Sequence, residues 1–224
     1  MLFGDDGLRG TCELIVAGER VVLLPEHALW WPSQRAVFVA DLHWGKAAAF
    51  RAAHVPVPTG TTGADLRRLS AVLARTQATQ IVVLGDLLHA KHGRHEDTFA
   101  QIALWRATHE RVAITLVRGN HDAHAGDPPS ALTITCVDDP HTMGPFVARH
   151  HPLQHPDGYV LAGHLHPHAS IGGRGRQHLR LPCFVIGQQV GVLPAFTAFS
   201  GKGMYVPQDG DAAYVIADDE VISL

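Results

Sequence analysis

Three short, almost uninterrupted apolar runs constrain this chain more than any other feature: residues 36–40 (AVFVA), 80–84 (QIVVL) and 112–117 (VAITLV). A strand with one wet face alternates apolar and polar residues. A run without alternation belongs to a strand buried on both faces, as in a parallel sheet with crossover helices. The segments between the runs carry the helical period. Residues 64–75 set Leu66, Leu69, Val72 and Leu73 on one face with Asp65 in the first turn, and residues 96–110 open on Glu96 and Asp97 and space Phe99, Ile102 and Trp105 helically. The first half therefore reads β-α-β-α-β, preceded by a hairpin of residues 20–24 and 28–31. Runs at 146–149, 159–162, 179–186, 204–206 and 213–217 are short and separated by Gly, Pro and Asp, which predicts further strands joined by turns. The expected architecture is an α/β sandwich of two packed sheets with helices outside, in one domain over residues 1–224. The Gly/Arg-rich stretch 172–176 reads as a loop between strands.

Composition narrows the function classes. The 224 residues give one sizeable core, and a formal net charge of -3 gives no globally basic surface. No apolar run reaches the length of a membrane span. The chain begins with Asp5 and Asp6 where a secretory leader needs basic residues, so a cytoplasmic protein is expected. Cys12, Cys136 and Cys183 are far apart and form no CxxC pair, which argues against a disulfide scaffold and a cysteine zinc site. Fifteen arginines against three lysines are explained by codon bias at least as well as by phosphate binding. Histidine is the abnormal count: fourteen of the seventeen lie between His89 and His178.

The polar residues that follow the strands account for part of that excess. AVFVA leads into Asp41-Leu42-His43, QIVVL into Gly85-Asp86, and VAITLV through Arg118 into Gly119-Asn120-His121-Asp122. The run at 146–149 leads into His150-His151, and the run at 159–162 into Gly163-His164-Leu165-His166. Strand C-termini line the ligand crevice of α/β sheets, so these groups converge. Carboxylate, imidazole and amide oxygen together suit divalent ions such as Mn²⁺, Fe, Zn²⁺ or Ni²⁺. In extended chain, residues two apart point the same way, so Asp41 with His43, and His164 with His166, are each expected to serve one site. Taken singly, each motif is as easily a cap, a turn or a satisfied histidine; their fixed order after five strands is what signals a two-metal centre.

That order, DLH, GD, GNHD, H and GHLH, resembles the calcineurin-like metallophosphoesterase superfamily. Residues 40–51, with Pro56, Pro58 and Gly60 behind them, resemble more closely the PdeM-type, ligase-associated DNA damage response endonucleases of bacteria. So do the stretches 84–89, 181–184 and 193–201, where Lys202 departs from the glycine expected next. The resemblance implies the αββα sandwich of that superfamily and two divalent metal ions per chain, Mn²⁺ ahead of Fe, Zn²⁺ or Ni²⁺. It implies Asp41, His43 and His166 on the first metal, Asn120, His164 and one of His150 and His151 on the second, and Asp86 between them. His150, first after its strand, is the preferred member of its pair. His121 would be catalytic, with Asp122 fixing its tautomer.

The implied activity is a phosphodiesterase or nuclease acting on DNA in a repair setting, beside a DNA ligase and a helicase. The alternative enzyme is a phosphatase or phosphodiesterase of small molecules or nucleotides. A non-catalytic interaction module of the same fold would lack His121 or a ligand, and none is missing. A metallo-β-lactamase-like hydrolase needs an HxHxDH run that is absent. Other cationic residues have weaker readings. His89 reaches the phosphate, supports a ligand or faces solvent. His92 and His95 lie on a polar loop, and His124, His155 and His168 receive no role. Lys46 and Arg51 contact a phosphodiester backbone or form a solvated helix face, and Arg174, Arg176 and Arg180 bind a strand or form a charged turn.

Overall fold

The computed structural model describes residues 8–91, 95–172, 178–201, 203–204 and 208–224. The acidic start of the chain, His92, Lys202, Arg174 and Arg176 with their loop, and residues 205–206 of the last short strand expected lie outside the described residues.

The first sheet runs β1 (Cys12–Val16), β2 (Glu19–Leu24), β3 (Ala28–Trp31), β4 (Ala36–Val39), β5 (Gln80–Leu84), β6 (Ala113–Val117) and β7 (Ile134–Val137), adjacent in that order. β1 to β4 form an antiparallel meander, and β4 to β7 are parallel. The connections carry α1 (Lys46–Ala52), α2 (Thr61–Thr76), α3 (Glu96–Thr108) and α4 (Asn120–Ala125). The second sheet comprises β8 (His141–Met143), β9 (Phe146–Ala148), β10 (Tyr159–Ala162), β11 (Pro167–Gly172), β12 (His178–Ile186), β13 (Val190–Val192) and β14 (Gly203–Met204). Its order is β14-β11-β12-β13-β10-β9-β8, with β15 (Ala212–Ala217) on β12 and β16 (Glu220–Ser223) on β15.

Packing explains the unbroken apolar runs. Along β4 and β5, Ala36, Phe38, Val82 and Leu84 face the second sheet and meet Phe146, Ala148, Leu161 and Phe184. The alternate residues Val37, Val39, Ile81 and Val83 face the helices and meet Leu66, Leu69, Val72, Ile102 and Trp105. Each strand therefore buries both sides, as its sequence predicts. Trp31 packs edge-on to Phe146, with ring centroids 4.9 Å apart, and both touch Phe38, whose truncation to alanine would cost about 3–5 kcal/mol. The result is the expected α/β sandwich of two facing sheets with helices outside. Among the described residues no helix is long and apolar enough to cross a membrane.

Beyond the strand ends the backbone stays hydrogen-bonded. The Asp41 N–H donates to the Gly85 carbonyl at 3.2 Å, and the His43 and Trp44 N–H groups donate to Asp86 and Leu87 at 2.8 Å each. Phe196 N–H donates to Ala40 at 2.7 Å, and Leu193 N–H to Ala162 at 2.8 Å, which ties the two sheets together at the same end. The loops that carry the polar motifs are thereby fixed to one another.

Candidate metal centre

The motif residues converge where β4, β5, β6, β9 and β10 end, and they do so through an unusual backbone. Asp41, His43, Asp86, His164 and His166 have φ values of 54°, 48°, 53°, 71° and 46°. All five occupy the left-handed region, where Asp, Asn and His are enriched among non-glycine residues but still strained. This revises the expectation of extended triplets. Asp41 and His43 do share one donor group, but through left-handed turns rather than the pleat of a strand, and His164 and His166 divide between two groups.

The donor atoms form overlapping sets. Asp41, His43 and His166 make one, His150, His151 and His164 a second, and Asp41, Asp86 and His150 a third that joins them, each with its atoms within 4.8 Å of one another. His43 Nε2 lies 3.4 Å from His166 Nε2, and His164 Nδ1 lies 3.0 Å from His150 Nε2. Asn120 Oδ1 is 2.8 Å from the same His150 nitrogen. The carboxylates are held by backbone donors: His164 N–H to Asp41 Oδ2 at 2.8 Å, and His121 N–H to Asp86 Oδ1 at 2.9 Å. Burial raises the Asp86 pKa, an effect opposed by His150 and increased by Asp41.

Three imidazoles are oriented in the same way. His150 Nδ1 lies 3.0 Å from the Leu84 carbonyl, His121 Nδ1 2.8 Å from the His89 carbonyl, and His166 Nδ1 3.2 Å from the Gly201 carbonyl. A carbonyl can only accept, so each Nδ1 carries the proton and each Nε2 is left to face the cluster. Burial opposes protonation of His166, but the Asp41 carboxylate outweighs it and raises the pKa. Burial lowers the pKa of His164, and the neighbouring His150 and His151 add to that.

These residues fit a pair of cations. Asp41 Oδ1 and His43 Nδ1 are buried without a hydrogen-bond partner, and facing imidazole nitrogens with two carboxylates stand at ligand-like separations. Leaving a buried polar atom unpaired costs about 1–3 kcal/mol, which a bound ion would relieve at Asp41 Oδ1. Two glycines make the approach geometrically possible. Gly85, at φ +81°, would place a Cβ 2.2 Å from His150 Nδ1, and a Cβ on Gly163 would fall 2.6 Å from Asp41 Oδ2.

Both members of the His150-His151 pair lie beside His164. Only His150 is fully buried and reaches the carboxylates, at 3.5 Å from Asp86 Oδ2. Asp122 does not fix the His121 tautomer as expected; the His89 carbonyl does. The Asp122 carboxylate instead accepts Leu88 N–H at 3.0 Å and Gly119 N–H at 2.9 Å, capping α4 and binding it to the loop after β5. Burial pushes its pKa up to about 6, against those two hydrogen bonds.

Sequence reasoning missed Asp139, whose Oδ1 and Oδ2 accept Arg149 Nε at 2.7 Å and His150 N–H at 3.1 Å. An Asp-Pro pair before a short strand gave no signal for that. His89 stacks on His121 with centroids 4.8 Å apart and shares a donor group with it and His43. Burial lowers the pKa of Lys46, in the first turn of α1, and the Asp41 and Asp86 charges oppose that. Arg51 is exposed and bonds the Pro58 carbonyl. Arg118 pairs with Asp127 and Asp138 at the surface. His95 and His124 are exposed, and Arg180 lies exposed on β12.

Comparison with known proteins bears on the same residues. The family model for calcineurin-like phosphoesterases matches residues 34–152. The crystal structure of Pseudomonas putida nuclease MPE is similar over 96% of this chain and 100% of that one, with 40% sequence identity and a TM-score of 0.85. A phosphoesterase from E. coli, Yfce, shares 15% identity over 84% of this chain and 97% of its own at a TM-score of 0.40, a likeness that carries no argument. No curated protein sequence matches. With the motif order, the facing sheets and the convergent donors all in place, the chain belongs to the calcineurin-like phosphoesterase family.

Proposed function

We propose that this protein, acting as one phosphoesterase domain over residues 1–224, is a dinuclear, metal-dependent phosphodiesterase that cleaves DNA. The observation that carries this reading is the pair of histidine-rich donor sets joined by Asp41, Asp86 and His150. Asp41, His43 and His166 would hold one ion, and Asn120, His150 and His164 the other, with Asp86 shared; Mn²⁺ is the favoured metal. Bound ions of this kind neutralise phosphoryl charge and activate a water nucleophile.

The chain's own groups then have distinct tasks. His121, its Nδ1–H held by the His89 carbonyl, turns Nε2 toward Asp86 at 4.0 Å. From there a protonated His121 would donate to the departing alkoxide oxygen. Lys46 adds positive charge on the α1 side. The arginines nearest the motifs are engaged elsewhere, Arg118 with Asp127 and Asp138, and Arg149 with Asp139. A monoester dianion gains most from free cationic side chains around its terminal oxygens, whereas a diester needs the ions and a proton donor, so this arrangement favours diesters. The MPE likeness supports a nuclease, and the sequence resemblance alone suggests a cytoplasmic repair setting beside a ligase and a helicase.

The test loads the purified protein with Mn²⁺, counts ions by elemental analysis, and compares kcat/KM for bis-nitrophenyl phosphate and nitrophenyl phosphate. Close to two ions per chain and a diester preference are expected. A folded protein without ions would refute the dinuclear centre, and a tenfold monoester preference would make it a phosphatase.

A further inference from the structure

Beside the centre, between α1 and the residues after β5, lies a recess of about 440 Å³, within the size range of small-ligand sites. Among the described residues its walls are Ala49, Phe50, Ala52, Ala53, Val55, His89 and Ala90, of which His89 alone has a polar side chain. The recess adjoins the reacting region directly. The His89 ring forms part of its wall and also stacks on His121, with centroids 4.8 Å apart, while crossing His43 at 5.4 Å. Phe50 stands 5.9 Å from His89 and 5.8 Å from Phe199. Lys46, one turn before Phe50 on α1, lies over the Phe199 ring at 5.9 Å. Phe50 and His89 thus give the recess two aromatic walls above an apolar floor, with Phe199 and the Lys46 ammonium packed beside Phe50.

We propose that this recess is a base-binding subsite: it takes the nucleobase of the nucleoside attached to the scissile phosphodiester, laid against Phe50 and His89. This rests on the phosphodiesterase reading and names the side on which the substrate's nucleoside lies. A planar base matches the chemistry of the walls, and Lys46 supplies the charge a phosphate beside it requires. With a single polar side chain among its described lining residues, the recess offers stacking faces rather than edge readout, so it takes any base with little sequence preference.

Two substrates with one leaving group test this: thymidine 5′-nitrophenyl phosphate and methyl nitrophenyl phosphate. Phe50→Leu keeps the apolar packing and removes the ring; Phe50→Ala removes both. Stacking on one aromatic is worth about 5- to 150-fold, so each variant should lose about fivefold or more in kcat/KM on the thymidine ester and less than about twofold on the methyl ester. Equal losses on both substrates, or no loss in Phe50→Leu, would overturn the subsite. If the wild type hydrolyses neither ester, the phosphodiesterase reading fails by itself. Binding then decides the subsite, from the anisotropy of a labelled oligothymidylate against its abasic analogue on metal-free protein. A preference for the base-bearing strand that Phe50→Leu abolishes supports it; no preference in the wild type refutes it.

Discussion

Replacing Gly85 by alanine probes how tightly the centre is assembled. Its φ of +81° costs an alanine about 1–2 kcal/mol by itself. The new Cβ would also stand 2.2, 2.5 and 2.8 Å from three atoms of the His150 side chain, which has no exposed surface into which to retreat. His150 must move, and its 3.0 Å bond to the Leu84 carbonyl breaks at a cost of about 1–3 kcal/mol. The sum is about 2–5 kcal/mol, or roughly 4–20 °C in Tm for a chain of this size. Gly18→Ala is the control, because Gly18 has φ +80° and open space around its Cβ, leaving only the backbone cost of about 1–2 kcal/mol. Urea unfolding of both variants in EDTA should show Gly85→Ala weaker by the extra about 1–3 kcal/mol. After Mn²⁺ loading, the Gly85 variant should also lose ions that the Gly18 variant keeps. Equal destabilisation with equal metal content would refute the account of Gly85 as the space His150 needs.

Two further outcomes follow from the same geometry. Asp86→Asn should lose turnover and both ions together, whereas His121→Asn should keep its ions and lose about 10²–10⁴-fold in kcat, read by elemental analysis beside single-turnover rates; ion loss in the His121 variant would make His121 a ligand. Burial pushes the Asp65 carboxyl from 3.8 up to about 7, against a hydrogen bond from Thr197 and the charge of Arg68. The native state then holds a proton that the unfolded chain releases, so Asp65 makes stability fall as pH rises between about 4 and 7. Asp65→Asn should gain on the wild type across that window and level off above it, and a pH-independent difference in urea midpoint would disprove the shift.

The sequence exposed the parts whose pattern is a direct image of packing. β4 and β5 are buried on both faces and read as unbroken apolar runs, and the α2 residues Leu66, Leu69 and Val72 show their helical face; β6 buries Ile114 and Leu116 on the helix side but leaves Ala113 exposed on the other. α1 is legible only as the alternative of a helix face carrying Lys46 and Arg51, because it starts after Gly45 at φ 83° with no side-chain cap. β1 alternates half-buried and exposed residues, with Ile15 73% exposed, so its pattern resembles a loop as much as a strand. At the centre, motif order and strand position reveal which side chains meet. They do not reveal how, because the left-handed turns at Asp41 and His43 and the carbonyl partners of His121, His150 and His166 come from backbone placement, which residue identity does not encode. Asp122 is the clearest example: its place beside His121 indicates a partner of that ring, but its carboxylate turns back to cap α4.

The five left-handed residues of the centre also set the direction in which the protein drifts when activity is not needed. At each such φ, a glycine would relieve about 1–2 kcal/mol of backbone conflict. Substituting one at His43 or His166 would remove an ion ligand and at the same time relax the local backbone. Selection for thermal robustness alone would therefore admit glycine at these ligands just as at left-handed residues without a site role, such as Ala17, Arg35 and Gln77, and only the need for the ions holds the centre against it. Catalytic competence and maximal fold stability select different residues at these positions.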